Sequence, residues 1–263
     1  MEKLFRKVCL KMELKLKVIK VKTSILIFPL ISIIFFYCGC ASVMETEKKE
    51  ETVRYEEKLE KVVRNLDAEE REYIRSSQIS SIEKINFNLD SDGKPLDSEK
   101  LSTLNFDING FLVETFIYDS DGTVKYRFTY DYDKNGRRTG TSRFIDSKLT
   151  NYYTYEYNEH GNKSKAYRYN TNDEIEEYYI YEYDDEGNLV EEEWFSYNGD
   201  KVYSIENDYD KGRKTHSYTY DEDNYLVYEY VFRYDDKGNV IEELKYSGRG
   251  IQTGIIQYIY KYF

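Results

Sequence analysis

The side chains that could do chemistry in this chain are few, and most of them sit in turns. Among 263 residues there are two histidines and three cysteines. His160 lies in the phrase Asn158-Glu-His-Gly161 and His216 lies in an alternating stretch, so no second histidine stands at zinc-ligand spacing. No Gly-x-Ser-x-Gly occurs, which leaves no nucleophile elbow. Asp90-Ser-Asp-Gly93, Asp119-Ser-Asp-Gly122 and Asp133-Lys-Asn-Gly136 open like calcium loops but lack the later oxygen ligands and terminal Glu. Glu191, Glu192 and Glu193 beside Trp194 are the residue types of a glycosidase, yet an acidic strand face makes such pairs by chance. No catalytic residue, metal ligand or cofactor is therefore expected. One candidate binding surface remains: Trp194, Phe195 and Tyr197 as a sugar-stacking platform, with plain sheet ridge as its simpler reading.

The elements that would position these residues come from an internal repeat. Gly110, Gly136, Gly161, Gly187, Gly212 and Gly238 recur every 25 or 26 residues. Around each lies a phrase of the form aromatic, Asp or Asn, two polar residues, Gly, then usually Asn or Arg; the Gly212 copy is one residue short. A second aromatic follows eight residues after each glycine, from Tyr118 to Tyr246. Mid-period turn signals, such as Asp119 to Gly122 and Asn198-Gly199, leave strands of about eight residues between turns. The Asp or Asn three before each glycine is placed to accept a backbone N–H across its own turn. Period-two alternation, with Tyr126, Phe128, Tyr130 and Tyr132 on one face, predicts half-buried antiparallel strands.

The expected fold is all-β: an antiparallel meander of repeated hairpins, preceded by one amphipathic helix. About a dozen strands at about 4.8 Å spacing would make a sheet roughly 55 Å wide, which should twist into a curled or partly rolled form. Its aromatic ridge is expected on the concave side, with hydroxyls left wet. The helix is read over 52–76, within a cap region at 52–80, and the repeat domain over 81–263.

The N-terminus reads as an address. Met1 to Lys22 is strongly basic and Ile25 to Tyr37 is apolar, the order of a secretory signal over residues 1–39. Tyr37-Cys-Gly-Cys40-Ala-Ser resembles a bacterial lipobox, and that resemblance implies lipidation at Cys40, followed by a tether over 40–51. Eight basic and two acidic residues precede Cys40, so the remainder carries 30 basic against 48 acidic, a net charge near −18. Such a field repels nucleic acid.

The phrase Tyr-Asp-x-x-Gly-Asn/Arg resembles the YD repeat of bacterial Rhs-type and wall-associated proteins. The match is strongest at Tyr183 to Asn188 and Tyr234 to Asn239, and weakens at Phe106 and Tyr209. It implies β-hairpins and display at a surface, while six copies are too few for that family's large shell. Together these features point to a non-enzymatic, lipid-anchored repeat module of the bacterial envelope whose aromatic and acidic residues form an interaction surface, with the outer membrane as its expected site. Its partners would be a membrane through the lipid and an unknown protein or glycan ligand. The rival reading is a periplasm-facing structural or envelope-assembly lipoprotein, and a glycan hydrolase is remote.

Overall fold

A computed structural model describes residues 63–263. The signal, Cys40, the tether and the stretch 52–62 of the expected helix lie outside the described residues. Among those described, one helix, α1 (Leu66–Ser76), precedes fourteen strands that run from β1 (Ile79–Leu89) to β14 (Gln252–Tyr262). No described helix is long and apolar enough to cross a membrane.

The strands follow one another as an antiparallel meander, as the alternation implies. The sheet is not open or partly rolled, however: β1 pairs with β14 and the barrel closes. Ile82 lies opposite Tyr260 and Asn86 opposite Ile256 along that seam. Closure leaves no edge strand with unpaired N–H and C=O groups, so the barrel outcompetes a curled sheet of the same hairpins.

Every hairpin also carries a bulge just after its turn. Tyr132 pairs with Arg138 but Asp131 with Gly140, which leaves Thr139 extra. The same slip recurs between Glu182 and Tyr183, between Asp208 and Tyr209 and between Arg233 and Tyr234. Bulges bend and twist a strand, and one in each hairpin gives a steady curvature that brings the last strand round to the first.

The turns behave as the composition requires. Asp107, Asp133, Asn158, Asp184 and Asp235 each accept backbone N–H groups two and four residues on. Three turns have no glycine: Asp173 and Asn224 take the positive φ in two of them, and in the third Asp146 and Ser147 both do, at 47° and 64°.

α1 starts later than the periodicity suggests, because Asn65 caps it. The Asn65 side chain accepts the Ala68 N–H, and Val63 to Asn65 are not helical. Ile74 is the only fully buried residue of the helix, and it packs with Ile79, Ile82 and Phe106. The buried apolar core of the described chain is small, only seven residues. That is what strand number demands: about eight strands can be filled by side chains, while barrels of about 16 enclose water.

Candidate functional site

The six repeat glycines form one ring, and the helix lies across it. Arg64 donates to the Gly212 carbonyl (3.0 Å) and to Asn188 Oδ1 (2.7 Å). Asn65 donates to the Gly161 carbonyl at 3.0 Å and Arg71 to that of Gly136 at 2.7 Å. Asn162 bridges both ways, donating to the Arg64 carbonyl (2.7 Å) and accepting from Leu66 N–H (3.1 Å). The Tyr73 hydroxyl bonds to Asn239. The Asn that follows glycine in three copies (Asn162, Asn188, Asn239) is thus a docking group for the N-terminal segment, and all three are buried. Of the six, Gly110 is approached most closely by helix backbone, since a Cβ there would sit 2.2 Å from the Arg71 carbonyl oxygen.

Beneath this plug lies a polar lumen. Asp67 accepts from Lys163 Nζ at 2.6 Å, and a cavity of about 180 Å³ is bounded by Asp67, Arg138, Tyr155, Lys163, Tyr181 and Tyr183. Arg138 stacks over Tyr130 at 4.6 Å, while its Nε has no hydrogen-bond partner among the described residues. Further round the wall, Lys84 lies 3.8 Å from Glu243 and 4.5 Å above the Tyr258 ring. Glu192 sits opposite Tyr181 and Ile205 on the adjacent strands. Opposite charges therefore share the enclosure, and it can hold polar groups without a large net field.

Burial raises the Glu192 carboxyl above the usual range, with Lys214 and Lys163 pulling the other way. Burial lowers the Lys214 and Lys163 ammonium groups, against the attraction of nearby carboxylates. A carboxyl raised in the folded state favours folding below its unfolded value of about 4.3, and that advantage fades as pH rises through the folded value. Glu192→Gln is accordingly expected to raise the melting temperature at pH 7, with the gain shrinking to nothing near pH 4. An equal gain at both pH values in a calorimetric series would disprove the link to ionisation.

The repeat tyrosines also face inward, and their hydroxyls are not left to water as expected. Tyr132, Tyr209, Tyr234 and Tyr260 donate to the carbonyls of Leu112, Leu189, Lys214 and Val240, one repeat back, at 2.7–3.0 Å. Each acceptor lies at the foot of a bulge. The outward face is different in kind. Arg127 pairs with Glu114, Arg233 with Glu242 at 3.2 Å, and Glu191 lies between Glu182 and Glu206 on neighbouring strands. A lipid-facing wall would lose about 2–4 kcal/mol for each Arg or Lys near its midplane, so this wall is built for water.

The expected platform does not assemble on one face. Trp194 points into the lumen, stacked on Tyr179 (5.8 Å) with Tyr203 edge-on at 4.7 Å. Phe195, next in the chain, must point out, and it stacks on Tyr178 at 4.9 Å. Tyr197 is 74% exposed in a turn. His160 is a rim residue whose carbonyl accepts from Asn65 (3.3 Å), and His216 stacks on Tyr218 at the outer wall. The acidic turns spend their carboxylates on their own backbone, as Asp90 does with Asp92 and Lys94 N–H. Among the described residues no cluster of three or more His, Cys, Asp or Glu could hold a metal ion. The sequence announces a helical cap but neither its polar seat on the turns nor the lumen; the recurrent Asn after glycine was the available signal for that seat, because a turn alone does not require it.

No protein-family model matches the chain, and no curated protein matches it. Among solved structures, a porin-like protein from Bacteroides uniformis is 13% identical, covers 70% of this chain and 97% of its own, and superposes with a TM-score of 0.34. A porin-like protein from Bacteroides vulgatus is 11% identical over 70% of this chain and 98% of its own, with a TM-score of 0.41. A putative outer membrane lipoprotein-sorting protein domain from Vibrio parahaemolyticus is 11% identical over 74% of this chain and 91% of its own, at 0.32.

Proposed function

We propose that the chain is a non-enzymatic lipoprotein of the bacterial envelope, anchored at Cys40, whose plugged barrel stands in water and serves a structural or assembly role. The observation that carries this reading is the pairing of a charged outer wall with a polar lumen closed by a helix. A barrel of that kind is unsuited to lipid, and so needs an anchor of its own to stay at a membrane. The N-terminal address supplies one. An open aromatic surface for ligands is the weaker reading, since Trp194 and the repeat tyrosines are turned inward.

Cys40→Ser is expected to move the protein from the membrane fraction to the soluble exported fraction, with the barrel still folded. Retention of the variant in membranes after a high-salt wash would overturn the anchor. Protease treatment of intact and permeabilised cells then tests the facing of the barrel. Digestion only after permeabilisation is the expected result, and digestion on intact cells would favour surface display.

A further inference from the structure

The two ends of the barrel differ. At the end away from α1 there are seven hairpin turns, and each carries or adjoins a large apolar side chain open to solvent. These are Leu96, Val124, Leu149, Ile175, Tyr197, Tyr225 and Ile251, exposed by 42–74%. At the α1 end two turns of six do so, one with Ile108 and Val113 and one with Ile241, and Tyr262 and Phe263 close the last strand there. Single exposed apolar residues are ordinary, but one at every turn of one rim is a repeating pattern that a partner with matching apolar side chains can engage. The same turns are mainly acidic, with Asp92, Asp121, Asp173, Asp200, Glu222 and Asp223 set against Lys94, Lys148 and Arg249. That charge opposes an anionic lipid surface, and it opposes the same rim of a second copy.

We infer that this rim is a docking ring for a protein segment that presents basic side chains around an apolar face. The inference rests on the envelope reading only for its compartment. Apolar contact would supply most of the affinity, and the acidic surround would set partner choice and approach rate.

The test uses the full-length protein held in phosphatidylcholine nanodiscs, titrated with three labelled helical peptides of equal length: Leu/Lys, Leu/Glu and Ser/Lys. The Leu/Lys peptide is expected to bind at least tenfold more tightly than the other two, and more weakly as salt rises. The variant Leu96→Ser, Tyr197→Ser, Tyr225→Ser, Ile251→Ser should lose at least tenfold of that affinity with an unchanged circular dichroism spectrum. A charge-reversed rim, Asp121→Lys with Glu222→Lys and Asp223→Lys, should shift preference toward the Leu/Glu peptide. Equal binding of Ser/Lys and Leu/Lys, or no loss in the serine variant, would overturn the ring in favour of bulk charge attraction. Self-association or binding to empty nanodiscs at the same concentrations would overturn it in favour of a second copy or a membrane. Recovery of the protein from the cytoplasm would defeat the envelope reading alone and leave the peptide result standing.

Discussion

Gly110→Ala is expected to destabilise the barrel clearly more than Gly122→Ala, although both glycines have a φ of +83°. The shared part of the effect is backbone strain: a left-handed residue with a Cβ costs about 1–3 kcal/mol. At Gly122 nothing lies within 4 Å of the added carbon, so strain is the whole effect. At Gly110 the new Cβ would meet the Arg71 carbonyl oxygen at 2.2 Å and the Arg75 nitrogen at 3.0 Å. Both are helix backbone, which cannot swing aside as a side-chain tip can. The helix must lift, and forced overpacking of this sort adds about 1–3 kcal/mol. Lifting also weakens the Arg71 bond to Gly136 and disturbs Ile74 in its small apolar cluster. Urea melts of the two variants measure the difference, and trypsin cleavage at Arg71 or Arg75 under native conditions reports whether the helix has left the rim. Equal midpoints and equal cleavage would mean that the helix is not seated on Gly110 as described.

This contrast also marks how far the sequence could be read. The six glycines, the Asx bonds across each turn and the alternation of strands were all legible, because each is decided within about five residues. The inward ridge of Tyr130, Tyr155 and Tyr181 follows from the same alternation, and that alternation already placed Trp194 and Phe195 on opposite faces. Closure was not legible. It depends on the seam between β1 and β14, whose partners are nearly the whole chain apart, and on bulges that no residue type announces. The plug was half legible: an amphipathic helix ahead of the repeats read as a cap, but nothing in the helix announced what it would dock on. In the structure Arg64, Asn65, Arg71 and Tyr73 hold it by polar bonds to turn carbonyls and asparagines, and those partners become apparent only once the six turns are gathered at one end. The Asp146-Ser147 turn escaped notice because two non-glycine residues adopt the positive φ.

The inward tyrosines give a second large effect, and it separates a hydroxyl from a ring. Tyr132→Phe and Tyr234→Phe each keep the aromatic area but remove the donor to the Leu112 and Lys214 carbonyls, bonds of 2.9 and 2.7 Å. A carbonyl left short of a partner inside the wall costs about 1–3 kcal/mol. Tyr209→Phe should cost less, because the Asn207 side chain also donates to the Leu189 carbonyl at 3.0 Å. Tyr218→Phe, on the outer face with only a 3.3 Å contact to Asp208, should stay within about 0.5 kcal/mol of the parent. Tyr132 lies on a hairpin remote from the other two, so its effect should add; Val240, which accepts from Tyr260, pairs with Tyr234, so only those two can depart from additivity. A triple change at Tyr132, Tyr234 and Tyr260 would then remove about 3–9 kcal/mol, a large share of the roughly 5–15 kcal/mol that holds a typical domain together. Chemical denaturation of the single variants decides the matter. If all four melt alike, the tyrosines contribute through their rings alone and the bulge carbonyls are served by water in the lumen. If the order is Tyr132 and Tyr234 first, Tyr209 next and Tyr218 last, the repeat uses Tyr because each copy's hydroxyl pins the bulge one repeat back, and that bulge curves the wall toward closure.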